Sequence, residues 1–349
     1  MILNWPDILE KLIICVGVFT VGLLVAMYST WWERKFAAWL QDRKGPNRTG
    51  PLGFLQPAAD GTKMFFKEEI IPNVSNKFLF ILGPSLAMLT ACMTGAVIQW
   101  GKDFVYDGKV IELQVTDINI GILYILGVVS FGVYGIMIGG WASNNKYSLL
   151  GAVRASSQMI SYEIAMGLSI ISLVVLTGTL SFRQILESQD EGWCYAALNP
   201  LGFLIFFICA LAETNRAPFD LPECESELIG GYHTEYSSMK LGFFLFSEYI
   251  NMFVSSAVMA GLFFGGYNFP FAKEVYNSLG LVEGHWAISL IGFLAYFIKV
   301  CIFISTFMWI RWTLPRFRYD QLMNLGWKVL IPLSIVNVFI VSIVKYFIS

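Results

Sequence analysis

The sequence predicts an all-α polytopic membrane protein with about eight transmembrane helices and long structured loops on one side, on three observations. Of its 349 residues 56% are hydrophobic and only 14% charged, with a mean hydropathy of +0.63; soluble domains carry about 25% charged residues. Apolar runs recur along the whole length, each near the ~20 residues that a helix needs to cross a hydrocarbon core of about 30 Å. Dense polar sequence is confined to alternate connections between those runs. Residues 1–349 are therefore expected to form one membrane domain, with no extramembrane domain.

The candidate spans are 8–31, 78–100, 118–140, 158–179, 195–213, 241–266, 286–310 and 329–348. The first is too long for a signal peptide, lacks a basic leading region and runs straight into Trp31-Trp32-Glu33-Arg34-Lys35, so it is expected to stay in the mature protein. The fifth is the weakest, because Asn199-Pro200 interrupts it. Its better half, Leu201 to Ala212, also fits a buried core helix, which would leave seven spans. Trp31 to Gln41 fits a helix lying along the interface, its tryptophans at headgroup level and Arg34 and Lys35 towards anionic lipid or substrate.

A net charge of −2 and the lack of any Gly-rich phosphate loop argue against a nucleic-acid or nucleotide partner. Six cysteines are scattered without a C-x-x-C pair, and their simplest use is as small buried hydrophobes. With only His233 and His285, an all-protein zinc or iron–sulfur site is not expected. His233 reads as structural and His285 as a surface residue.

The loops after helices one, three, five and seven (32–77, 141–157, 213–240 and 311–328) carry sixteen lysines and arginines against six on the other side. By the positive-inside rule those loops face the cytoplasm or matrix, and both termini face the periplasm or intermembrane space. The third of them holds Glu213, Asp220, Glu223, Glu225, Glu227 and Glu235 but only Arg216 and Lys240 as cations. It cannot neutralise itself, so the cationic first and last loops are expected to pack over it around a polar cavity. Glu163, Glu248 and Lys299 fall within apolar helices, where each charge costs about 2.5–3.5 kcal/mol at the bilayer centre. With Glu213 and Glu227 they could relay protons from the loop cavity into the membrane.

Several stretches carry a specific likeness: Glu33-Arg34-Lys35, Gly45-Pro46-Asn47-Arg48, Leu55-Gln56-Pro57-Ala58 with Asp60, Tyr147-Ser148-Leu149-Leu150-Gly151, and Ile160-Ser161-Tyr162-Glu163. Ala212-Glu213-Thr214-Asn215-Arg216, Pro218-Phe219-Asp220-Leu221, Glu225-Ser226-Glu227-Leu228, Pro315-Arg316-Phe317-Arg318-Tyr319-Asp320-Gln321 and Gly326-Trp327-Lys328 complete it. Over nearly its whole length the chain resembles the H-subunit family of bacterial NADH:quinone oxidoreductase (respiratory complex I), which is NADH dehydrogenase subunit 1 in mitochondria. The resemblance implies a membrane subunit of a proton-pumping enzyme that forms most of a quinone-access tunnel. It also implies partners in both the redox and membrane arms, quinone as substrate, contact with membrane lipids, and no cofactor of its own. Flavin and iron–sulfur clusters would lie in partner subunits.

Carried over by motif, Arg34, Pro57, Asp60, Arg216 and Arg311 would line or gate the tunnel. Glu163, Glu213, Asp220, Glu223, Glu225, Glu227, Glu248 and Lys299 would form an acidic, water-filled coupling path. The sequence departs from the family at Cys224, where glycine is usual, and at Ser156-Ser157, often alanine. The implied location is a bacterial plasma membrane or the mitochondrial inner membrane. Two other readings compete. The membrane subunit of an energy-converting hydrogenase is related, but the complete first-loop motif favours the quinone enzyme. A stand-alone transporter would show matched halves, and no internal repeat is present.

Overall fold

The computed structural model describes residues 5–106, 108–190, 194–220, 229–270, 272–278, 280 and 284–348. Glu223, Cys224, Glu225 and Glu227 lie outside the described residues. The helices are α1 (Trp5–Leu40), α2 (Gln56–Phe66), α3 (Lys77–Thr94), α4 (Gly121–Ala142), α5 (Lys146–Thr177), α6 (Phe182–Glu187), α7 (Tyr195–Leu198) and α8 (Pro200–Glu213). They continue with α9 (Ser238–Phe264), α10 (Ala272–Ser278), α11 (Trp286–Thr313), α12 (Tyr319–Asn324), a π-helical turn (Leu325–Leu330) and α13 (Ile331–Ile348). A small antiparallel hairpin, β1 (Phe104–Tyr106) and β2 (Lys109–Ile111), pairs Phe104 with Ile111.

Among the described residues seven helices are long and apolar enough to cross a membrane, and α8 is a shorter apolar helix. The chain is a multi-pass membrane protein. At 1.5 Å per residue α8 rises only about 21 Å, because Asn199 and Pro200 start it late: Asn199 caps Gly202 N–H at 3.0 Å and proline occupies its first turn. It nevertheless carries the chain back across the bundle. Asn199 Nδ2 donates to Ser172 Oγ near the end of α5 (2.7 Å), while the Ala212 carbonyl meets Gln158 towards the start of α5 (2.7 Å). Lys11 on α1 donates to Glu112 and to the Gln114 carbonyl, and Lys345 on α13 to the Val175 carbonyl. The outer ends of α1 and α13 therefore share one end of the bundle, as an even number of crossings requires.

Two helix boundaries differ from the sequence expectation. No Gly or Pro interrupts 28–40, and α1 runs unbroken to Leu40 in place of a separate interfacial helix at Trp31–Gln41. At about 54 Å it outreaches a ~30 Å core. Likewise α5 begins at Lys146, where the Asn145 side chain caps Tyr147 N–H (3.0 Å), so most of 141–157 is helical. Close approach of α3 and α4 depends on glycine: a Cβ on Gly83 would lie 2.8 Å from the Gly139 backbone.

At the end that holds the outer ends of α1 and α13, Arg183 on α6 binds Asp103 (2.5 Å), Glu112 (3.0 Å) and Glu187 (2.9 Å), tying both flanks of the hairpin to the bundle. Lys11 also reaches Glu112, at 3.1 Å. Arg183→Ala is expected to lower the thermal midpoint of the detergent-solubilised protein by a few degrees, the effect of roughly 1–2 kcal/mol for one multidentate cation. An unchanged midpoint would show that the hairpin is held by other contacts.

Candidate quinone-side cluster and acidic path

The site begins on α1. Gly22, Ala26, Ser29, Glu33 and Ala37 repeat at three- and four-residue spacing and form its buried face. Glu33 is 5% exposed, and it sits where α1, α9, α11 and the segment after α8 converge. Its Oε2 accepts from Arg216 Nη1 (2.6 Å) and from Tyr249 Oη on α9 (2.9 Å), while its Oε1 pairs with Arg311 at the end of α11. The Arg216 guanidinium also lies 3.9 Å from the Tyr249 ring centre, a cation–π contact. Burial works against the charge on Arg216, but Tyr249, Glu33 and Glu248 more than offset it, so its pKa lies above the ordinary value. A doubly paired, hydrogen-bonded carboxylate is what makes such buried charge tolerable.

Beyond this cluster the segment after α8 opens on a narrow polar cavity of about 20 Å³, which suits a single water. Glu213, Thr214, Asn215, Glu248, Asn251, Thr90 and Thr94 line it, from α3, the end of α8, the two residues that follow it, and α9. Glu213 and Glu248 are each 9% exposed, and Tyr232 Oη donates to Glu248 Oε1 (3.0 Å). Glu163 on α5 takes a hydrogen bond from Ser130 on α4 and lies within electrostatic reach of Glu213. Asp220, almost wholly buried, accepts from Arg316 Nη2 at 2.9 Å, and Phe317 N–H reaches the Pro218 carbonyl at 3.1 Å, so the third and last loops meet.

On the outer side, Arg34 pairs with Asp60 on α2 (2.7 Å), and Gln56 Nε2 also donates to Asp60 (3.0 Å). Pro57 is buried in the first turn of α2, where its missing N–H is harmless. The structure thus groups Arg216 and Arg311, groups Glu163, Glu213 and Glu248, and sets Arg34, Pro57 and Asp60 beside the loop end of α1.

Lys299 stands apart. Its ammonium donates to the carbonyls of Phe264, Gly266 and Asn268 (2.7 and 2.9 Å for the first two), capping the C-terminal end of α9, about 24 Å along that helix from Glu248. Glu33, Tyr249 and Tyr232 escaped the sequence reading of the site. Glu33 was detectable, because the small-residue stripe at Gly22, Ala26 and Ser29 continues through it to Ala37 if α1 is not broken at Trp31. The tyrosines left no comparable mark. Among the described residues no group of three His, Cys, Asp or Glu could hold a metal ion.

A family model described as NADH dehydrogenase matches residues 13–342. The chain is 65% identical to an H subunit of NADH-quinone oxidoreductase from Cytophaga hutchinsonii, over 95% of this chain and 96% of that protein. It is 61% identical to the corresponding H subunit of Flavobacterium psychrophilum (96% and 97% covered) and 46% identical to NADH-quinone oxidoreductase subunit 8 of Rhodothermus marinus (98% and 97%). With a match of that extent, and relatives of that identity along nearly the whole chain, the protein belongs to the NADH dehydrogenase family.

Proposed function

We propose that the chain is the membrane subunit of a proton-translocating NADH:quinone oxidoreductase that guides quinone from the bilayer and couples its reduction to proton movement. The observation that carries this reading is the adjacency of two groups. The buried Glu33–Arg216–Arg311–Tyr249 cluster lies at the loop end of the bundle, and Arg216 is within electrostatic reach of Glu248, which shares a cavity with Glu213. A charge change near the cluster is therefore felt by acids inside the membrane. Glu213, Glu248 and Glu163 supply carboxyls that exchange protons, and Asp220, Glu223, Glu225 and Glu227 would extend the path at its loop end.

In this reading Arg34, Pro57 and Asp60 flank the passage, and Arg216 and Arg311 steady its inner end. Lys299, a cap at the far end of α9, lies apart from this group. Electrons come from a redox subunit, so this chain needs no flavin or cluster, and its neighbours are the other subunits of both arms together with membrane lipid. Sixteen cations in the loops favour an orientation with that end towards the cytoplasm or matrix.

Arg34→Ala in the assembled complex is expected to slow reduction of a long-tailed quinone by about tenfold while leaving NADH oxidation by an artificial acceptor, taken up at the redox arm, within twofold of wild type. Equal losses with both acceptors would remove Arg34 from the quinone passage.

A further inference from the structure

The C-terminal segment carries a feature with no counterpart elsewhere among the described helices: residues Leu325–Leu330 form a π-helical turn between α12 and α13. A π-turn accommodates one extra residue at a cost in backbone geometry, and such turns are frequent at functional positions. Here the turn lies against the stretch of α5 that carries Glu163. Trp327 Nε1 donates to Ser161 Oγ (3.0 Å), and Ser161 Oγ donates in turn to the Ser157 carbonyl (2.6 Å). The fully buried Tyr162 donates through its hydroxyl to the Leu322 carbonyl (3.1 Å), and its ring packs beside Gly326.

The same segment grips the loop after α8. Arg316 holds Asp220, Phe317 holds Pro218, and the Phe317 ring meets Phe219, whose ring meets Tyr162 in turn (5.6 and 5.4 Å between centres). Gln158, one turn before Tyr162, donates to the carbonyls of both Ala212 and Phe219 (2.7 Å each). Residues 316–327 therefore bracket the loop that carries Arg216 and the α5 turn that presents Glu163 to Ser130.

We propose that Trp327 and Tyr162 are positioning residues. The π-turn sets the rotation of α5 about its axis, keeps the Glu163 carboxyl on Ser130, and makes that rotation follow the 214–220 loop. The magnitudes suit this role: a polar atom about 5–6 Å from a helix axis moves roughly 2 Å for a 20° rotation, enough to break one hydrogen bond and form another. The inference rests on reading Glu163 as a coupling acid, and the test separates the two.

The variants Trp327→Phe, Ser161→Ala, their double, Tyr162→Phe and Glu163→Gln are compared in the intact complex, with rates normalised to assembled enzyme by NADH oxidation with an artificial acceptor. Trp327→Phe, Ser161→Ala and Tyr162→Phe are each expected to lower kcat for quinone reduction about three- to tenfold with KM for quinone unchanged. The Trp327→Phe/Ser161→Ala double is expected to be no slower than Ser161→Ala alone, because that single already removes the Trp327–Ser161 bond. Less assembled complex with a wild-type rate per complex, or losses that multiply in the double, would overturn the positioning role while a slow Glu163→Gln leaves the acid path standing. A wild-type Glu163→Gln would overturn the path at that residue and the positioning role with it.

Discussion

Arg216→Met is expected to deplete the subunit from the membrane. The guanidinium is 6% exposed and bound to a carboxylate that is itself 5% exposed. Its removal leaves Glu33 with Tyr249 and the half-buried Arg311. Breaking a buried pair from one side costs about 3–5 kcal/mol, against a net stability of about 5–15 kcal/mol for a typical domain. Immunoblotting of membranes and native gels of the complex would show the loss. A companion Glu33→Leu should recover part of the assembled protein, because replacing both charges avoids the stranded carboxylate. Full assembly of Arg216→Met alone would mean that the cluster contributes little to folding.

The second large effect concerns turnover. Glu213→Gln keeps the shape and hydrogen-bonding capacity of the side chain and removes its ability to exchange a proton. Assembly is therefore expected at wild-type levels, and quinone reductase activity with its linked proton uptake is expected to fall about tenfold or more, a modest share of what a positioned proton carrier contributes. Glu213→Asp should retain more activity than Glu213→Gln, since a titrating group remains. Wild-type turnover and proton movement in Glu213→Gln would remove this residue from the path.

The membrane architecture was legible because lipid demands long apolar runs, and seven such runs became helices with only their ends displaced. Those ends moved where helix-forming sequence continued past the hydrophobic stretch, as at Trp31–Leu40 and Lys146–Ser157. Hydropathy sees only the part of a helix that contacts lipid. The clustering of Glu163, Glu213 and Glu248 was foreshadowed by the cost of placing carboxyls in apolar surroundings. The same cost does not locate Lys299, whose expense is met by three backbone carbonyls at and just beyond the end of α9 that no sequence pattern announces. Glu33 was hidden for a different reason: with the span ended at Trp31 it falls on a separate interfacial helix, and only the continuous α1 puts it on the buried stripe. The π-turn left no legible trace, because its extra residue is indistinguishable from ordinary helix in composition.

The most direct measurement is the placement of water in a high-resolution map of the assembled complex, between the Arg216 cluster and Glu163. Ordered water bridging Glu213 and Glu248, hydrogen-bonded through Thr90, Asn251 or Tyr232, is the expected result. A dry gap filled by apolar side chains, with Glu213 sealed from both Glu248 and Glu163, would contradict a proton path through this chain.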